Sequence, residues 1–272
     1  MGHAYYDYTK EQLLDSPKIP LSVYEDGEAV FRLLAEEMAA EIRAHNKSGD
    51  TTVLICPVGP VGQYPHFVRL VNEESISLRN TWFINMDEYL DDNEQWIDAS
   101  HKLSFRGFMN REVYGKITPA LLPPEEQRVF PDPGNPGYIP ELIRRLGGVD
   151  LVVGGVGING HVAFNEPQPD LTAEQFRLLE TRALSIAEET RATNCIGDLN
   201  GAIEDMPRRC VTVGFREIYE ARRICLGCFR DWHRAVVRRA CHGEVSTGFP
   251  VTLLQEHPNA TIHVPEAVAV LP

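Results

Sequence analysis

The sequence predicts an α/β fold: a single domain with a largely parallel central sheet. Three observations carry that expectation. Short apolar runs rich in β-branched residues, such as Leu151-Val152-Val153 and residues 51–56, read as buried strands. They alternate with longer stretches whose apolar residues recur at helical spacing, the order that builds parallel sheets. The 272 residues hold no internal repeat, low-complexity tract or convincing linker, and a chain of this length can bury a core without staples.

Taken in order, residues 1–19 are polar and aromatic with little periodicity, and are expected to form an N-terminal extension over the body. Residues 20–272 then make up the domain. Residues 20–24 read as a short edge strand, and Val30, Phe31, Leu34, Met38 and Ile42 fall on one helical stripe. The strand at 51–56 breaks at Pro57-Val58-Gly59-Pro60-Val61-Gly62, and a helix follows through Tyr64, Phe67, Leu70 and Val71. Residues 82–86 form another buried-type strand, ending in Asp87-Glu88 as a polar turn at the sheet rim. Residues 91–97 are acidic loop, 100–115 carry an apolar helical face, and 119–136 are a proline-rich connection. A helix at 138–146 is stopped by Gly147-Gly148 in the manner of a C-cap. After the strand at 149–153, residues 171–194 are a charged excursion, helical or mixed, expected to lie as a flap over the rim. Residues 210–214 and 223–227 read as strands of the sheet, 230–240 as a basic helix and 261–264 as a closing strand. The six arginines between Arg222 and Arg239 are expected to form a solvated face.

Charge and composition exclude several classes. A net charge of −13, with a pI near 5.2, argues against nonspecific binding to nucleic acid or anionic membrane. No stretch approaches the ~20 apolar residues of a membrane span, and the N-terminus lacks the charged-then-apolar pattern of a secretion signal. Six cysteines spread through the chain suit a reducing compartment, so the expected location is the cytoplasm. Cys225-Leu226-Gly227-Cys228 has redox or half-zinc spacing, but no second pair accompanies it, and the two are read as buried thiols.

The chemistry is expected at the stretch from Gly154 to Pro167. It leaves an apolar strand through glycines that let the backbone turn sharply, and then presents His161 and Glu166. Ligands of open α/β sheets bind outside the carboxyl ends of the strands, which puts Asp87-Glu88 on the same rim.

Two motifs on that rim, Asn85-Met86-Asp87-Glu88-Tyr89 and Gly157-Ile158-Asn159-Gly160-His161-Val162-Ala163-Phe164-Asn165-Glu166-Pro167, resemble the glucosamine-6-phosphate deaminase/isomerase family, which is related to the 6-phosphogluconolactonases. Ser104-Phe105-Arg106-Gly107-Phe108-Met109 and Leu253-Leu254-Gln255-Glu256-His257-Pro258 extend the resemblance from about residue 20 to the end. It implies a Rossmann-like three-layer fold and conversion of a 2-amino-2-deoxy-hexose 6-phosphate to the ketose phosphate and ammonia, without metal or organic cofactor. By the same resemblance Asp87 is the base moving a proton between C2 and C1, His161 opens the sugar ring, and Glu166 orients that imidazole. Asn159 joins them as a catalytic position, and Gly59, Pro60, Val61, Gly62, Glu88, Gly160 and Arg230 form the substrate-binding set. The implied partner is a small sugar or amino-sugar phosphate, with a homo-oligomer compatible with the sequence.

Four positions depart from the family pattern. Asn159 stands where the family has Asp, keeping an acceptor oxygen but losing the charge. The phosphate loop, Gly-Ser-Thr in the family, is Gly59-Pro60-Val61 here, which removes two hydroxyls and one N–H. An arginine expected in the excursion aligns with Ile196, and the nearby Arg182 falls in a region that some members use for allosteric control. These departures keep two alternatives open: a lactonase-like hydrolase, or a catalytically silent sugar-phosphate-binding or regulatory protein.

Overall fold

Residues 3–272 are described by the structure, a computed structural model, and their apolar runs resolve into two sheets. Residues 1 and 2 of the expected extension lie outside the described residues. The strands are β1 (Leu21–Tyr24), β2 (Thr52–Cys56), β3 (Thr81–Asn85), β4 (Asp87–Leu90), β5 (Arg128–Val129), β6 (Leu151–Gly154), β7 (Arg182–Ser185), β8 (Arg209–Thr212), β9 (Arg223–Gly227) and β10 (Ala260–Pro265). Seven of them form the main sheet, in the order β1-β10-β9-β6-β2-β3-β5, and every pairing in it is parallel. The other three form a small antiparallel sheet, β4-β8-β7.

Strand alternation explains the layers. Leu54 and Cys56 of β2 join Phe83, Leu151 and Val153 in one core, while Val53 and Ile55 join Ile84, Val152 and Ile224 in the other. The first core is covered by α2 (Gly27–Ser48) and α3 (Gln63–Glu73), through Val30, Leu34, Met38, Ile42, Phe67 and Val71. Asp26 caps α2 by accepting from Ala29 N–H at 2.7 Å, and Gly49 ends it in a left-handed conformation. Each fully buried side chain of that stripe contributes roughly 1.5–3 kcal/mol, far more than any difference in helix propensity along it. The second core is covered by α5 (Tyr138–Leu146), α8 (Phe215–Tyr219) and α9 (His233–His242). The three-layer α/β expectation therefore holds. Among the described residues, no helix is long and apolar enough to cross a membrane.

Six local expectations are corrected. Asp87-Glu88 is not a turn: it opens β4, because Met86 O accepts from Val213 N–H and Asp87 then pairs with Thr212 across the small sheet. The segment at 210–214 follows it there, leaving the parallel sheet. The proline-rich connection hides β5, only two residues long and therefore without periodicity. The helix expected over 100–115 starts later, as α4 (Phe105–Phe108), and continues as a π-turn over Met109–Val113.

The N-terminal segment also carries structure where no periodicity was visible. Its α1 (Lys10–Leu14) is held by a capping box between Thr9 and Gln12 and buries Leu13 completely. Finally, the arginines after β9 are not all solvated. Arg238 is fully buried and donates to the carbonyls of Tyr8, Arg234, Val268 and Ala269, tying both termini to α9.

Candidate active site

The loop after β6 folds back on itself, Gly157 N–H donating to His161 O and Gly160 N–H to Gly157 O. The imidazole of His161 lies directly over Gly157, where a Cβ would fall 1.9 Å from its Cε1. Only glycine permits that approach. Gly160 is left-handed at φ +84 and its Cβ would strike the ring of Phe249, so it shapes the loop from beneath. Ala163 stands at φ 51, a conformation that costs a non-glycine residue energy and that surrounding contacts must enforce.

Those contacts come from β8. Thr212 Oγ1 accepts from Phe164 N–H at 3.0 Å, and Asn165 Nδ2 donates to the carbonyls of Val162 and Val213, both at 3.0 Å. The same two residues, Thr212 and Val213, pin Asp87 and Met86 from the other side. The small sheet thus ties the two halves of the rim to one strand end. Arg182, which the resemblance put in a region of allosteric control, braces the loop here: its Nη1 donates to Asn165 Oδ1 at 3.0 Å. Burial pushes its guanidinium below the usual arginine range.

His161 Nδ1 lies 2.8 Å from Asn159 Oδ1, while Asn159 Nδ2 donates to Glu166 Oε2 at 2.7 Å and to Glu189 Oε1 at 3.1 Å. Two carboxylates beside one end of the amide determine which end is nitrogen, so its oxygen faces the ring. An oxygen can only accept, and Nδ1 must therefore carry the proton, so that in the neutral ring Nε2 is the bare nitrogen. Thr190, on α7 (Glu188–Asp198), adds a hydroxyl 3.1 Å from Glu166 Oε2 and 3.3 Å from His161 Nδ1. Burial opposes the charge on Glu166, yet the contacts with His161, Asn159 and Thr190 outweigh it and hold the carboxyl below its ordinary value.

Asp87 is the opposite case. It is 7% exposed and, among the described residues, its side chain makes no hydrogen bond. Burial, reinforced by the neighbouring Glu88, pushes its pKa well above the usual carboxylate range. β3 and β6 flank β2, which sets the Asp87 strand end and the His161 loop two strand spacings apart, about 10 Å.

Glu88, expected to touch substrate, is corrected. It is fully buried, and both oxygens are taken by Ser104 Oγ, Arg106 Nε and the N–H groups of Tyr89, Phe105 and Arg106. It anchors the start of α4 and has nothing left to offer a ligand.

The expected anion end is sparsely furnished. The loop of Gly59, Pro60, Val61 and Gly62 leads into α3, with Pro60 packed over Gly155 and Val61 38% exposed. Phe31 covers Gly62 and stacks on Phe229 at 4.2 Å. Arg230 follows Phe229, is exposed, and has no side-chain hydrogen bond among the described residues. Its guanidinium lies over Gly197 of α7. Ile196, beside Gly197, is 72% exposed.

The excursion does fold over the rim, as α6 (Ala173–Arg177), β7 and α7. Thr190 and Glu189 escaped sequence reasoning because nothing separates them from the charged helix around them. Among the described residues, Glu41, His45 and Asp150 are close enough to share a cation. They lie at the amino-terminal ends of the strands, opposite the rim, where Arg222 and Arg223 already pair with Asp150 and Glu41. A cavity of about 270 Å³ lined by Pro140, Ile143, Val149 and Arg216 also lies away from the rim.

No family model matches the chain. It is 30% identical over 257 residues to a glucosamine-6-phosphate deaminase of Rhodopirellula baltica, covering 93% of this chain and 96% of that protein. Its fold superposes on a monomeric glucosamine-6-phosphate deaminase with a TM-score of 0.79 at 23% identity, covering 92% of this chain and 99% of the other. A 6-phosphogluconolactonase from Trypanosoma brucei matches with a TM-score of 0.64 at 17% identity, covering 93% and 98%.

Proposed function

The chain belongs to the glucosamine-6-phosphate deaminase family, and from that premise we propose that it isomerises a 2-amino-2-deoxy-hexose 6-phosphate to the ketose phosphate with release of ammonia. One observation carries the reading: the rim holds a buried carboxyl with no partner, Asp87, and an imidazole held at Nδ1 with its other nitrogen bare, His161. These are the two groups that such a reaction needs.

In this reading, His161 Nε2 takes the anomeric hydroxyl proton and delivers it to the ring oxygen, opening the sugar to the aldehyde. Nδ1 stays anchored on Asn159, and Glu166 stands behind them. Asp87 then removes the proton from C2 and returns it to C1. A carboxyl whose pKa is raised by burial is a stronger base than an exposed one, and suits a weakly acidic C–H. The transfer leaves an imine at C2, which water converts to the ketone as ammonia departs. The phosphate lies toward Gly59, Val61 and Gly62, with Arg230 as the cation that meets it. All six cysteines are unpaired and buried, which supports placing the reaction in the cytoplasm.

The test is to measure ammonia and ketose across a panel of amino-sugar 6-phosphates. Equimolar formation of both supports the reading. Acid formed from a phosphorylated lactone would move it to the hydrolase side, and binding without turnover would leave a silent sugar-phosphate-binding protein.

A further inference from the structure

The imidazole of His161 has more support than the sequence motif accounts for, and the surplus comes from the first turn of α7. The Asn159 amide cannot supply the negative charge that an aspartate would place beside a protonated ring. Yet its Nδ2 lies 3.1 Å from Glu189 Oε1 and 2.7 Å from Glu166 Oε2, so two carboxylates act on the imidazole through one amide. Polarising that amide from its nitrogen end makes Oδ1 a stronger acceptor for Nδ1–H, as coupled hydrogen bonds do, with Glu166 the buried and Glu189 the solvent-exposed member of the pair. Thr190 closes the arrangement. It is 1% exposed, and its hydroxyl donates to Glu166 Oε2 at 3.1 Å while its oxygen lies 3.3 Å from His161 Nδ1.

We propose that Glu189 and Thr190 are positioning residues for His161: Glu189 supplies, through the Asn159 amide, the charge that position 159 lacks, and Thr190 holds Glu166 and the ring in register. The inference rests on the reading of His161 as the ring-opening group. An aspartate at 159 would crowd a third carboxylate against Glu166 and Glu189, so residues 159 and 189 are complementary and their substitutions interact. Thr190 depends on its hydroxyl, so serine can replace it and valine cannot.

The test is a double-mutant cycle on cyclic substrate, with an open-chain analogue as control. E189Q is expected to lower kcat on cyclic substrate about five- to tenfold, and N159D to fall below wild type. The double variant N159D/E189Q should return to within about threefold of wild type, because neighbours in one network do not add. T190V should lose about tenfold in kcat with KM unchanged, and T190S should recover most of it. Additive effects at 159 and 189 would overturn the role of Glu189, and full activity in T190V would overturn that of Thr190.

A readout independent of turnover separates failure here from failure of the proposed function. In ¹⁵N-labelled protein, the His161 ring, identified by its loss in H161Q, should carry its proton on Nδ1 in wild type. E189Q and T190V should shift it toward mixed tautomers. A tautomer unchanged in every variant would overturn the proposal even if the wild type proves to be the expected deaminase.

Discussion

The two ends of the rim are built on different principles. At the imidazole end, His161, Asn159, Glu166 and Thr190 hold one another through contacts of 2.7–3.4 Å, and α7 braces them from outside the loop. At the loop-and-arginine end, Gly59-Pro60-Val61-Gly62 offers no hydroxyl, Val61 and Ile196 are exposed, and Arg230 has a single charge on a flexible stem. The difference follows from what each end must do. Proton transfer requires a fixed tautomer and direction, which only a satisfied network provides. Holding an anion requires charge, and one guanidinium tolerates a poorer surround because its fork matches phosphate.

The largest expected effect tests whether the chemistry depends on Asp87, the group that belongs to neither end. Asp87→Asn should lower turnover by about 10²–10⁴-fold and abolish solvent-hydrogen exchange at C2, with binding largely kept. A variant retaining a tenth of wild-type turnover would remove Asp87 as the base. Next, His161→Gln should cost about a hundredfold on cyclic substrate and little on an open-chain analogue. Equal losses on both would mean that the organised end does not open the ring.

At the other end the effects should fall on affinity. Arg230→Ala should weaken a phosphorylated ligand by roughly ten- to a hundredfold and scarcely alter its unphosphorylated counterpart. Equal affinity of the wild type for both forms would remove phosphate from the substrate description. The converse change, Ile196→Arg, should tighten the phosphorylated ligand by about five- to tenfold, because it adds a second cation where the helix passes Arg230. No gain would show that the anion sits elsewhere.

The smallest expected effect is on stability, and its sign follows from linkage. Burial raises the folded-state pKa of Asp87 above its unfolded value, so folding takes up a proton between the two. Below the unfolded value both states are protonated and nothing is lost. As pH rises toward the folded value, the unfolded chain ionises first and stability falls, and above it the deficit is constant. Asp87→Asn should therefore melt at a higher temperature than wild type at neutral pH and at the same temperature near pH 3. A variant no more stable at neutral pH would mean that Asp87 has an undetected partner, and the contrast between the two acids of Asp87-Glu88 would fail.

That contrast also shows where sequence reading stops. Val152-Val153, the helical stripe from Val30 to Ile42 and the Gly147-Gly148 stop are local patterns, so the main helices and most strands of the parallel sheet could be read from residues alone. The loop carrying His161 was legible for the same reason, because glycines, an imidazole and a carboxylate lie together in one stretch. Asp87 and Glu88 are adjacent and chemically alike, and only tertiary structure separates them. β4 turns one acid into the anchor of α4 and leaves the other bare. β4 itself was hidden, since its strand pairing comes from β8, more than a hundred residues later.

Arg238 was misread because burial with four backbone carbonyls is decided by chain ends that meet only on folding. Thr190 and Glu189 carried no local signal, because α7 reaches His161 only through the course of the chain between them. Composition and periodicity determined the main helices and most strands of the parallel sheet, since those depend on neighbours in sequence. Which acid is free, which arginine is buried and what steadies the imidazole were decided by contacts between distant segments, where burial and hydrogen bonding set the charge state of each group.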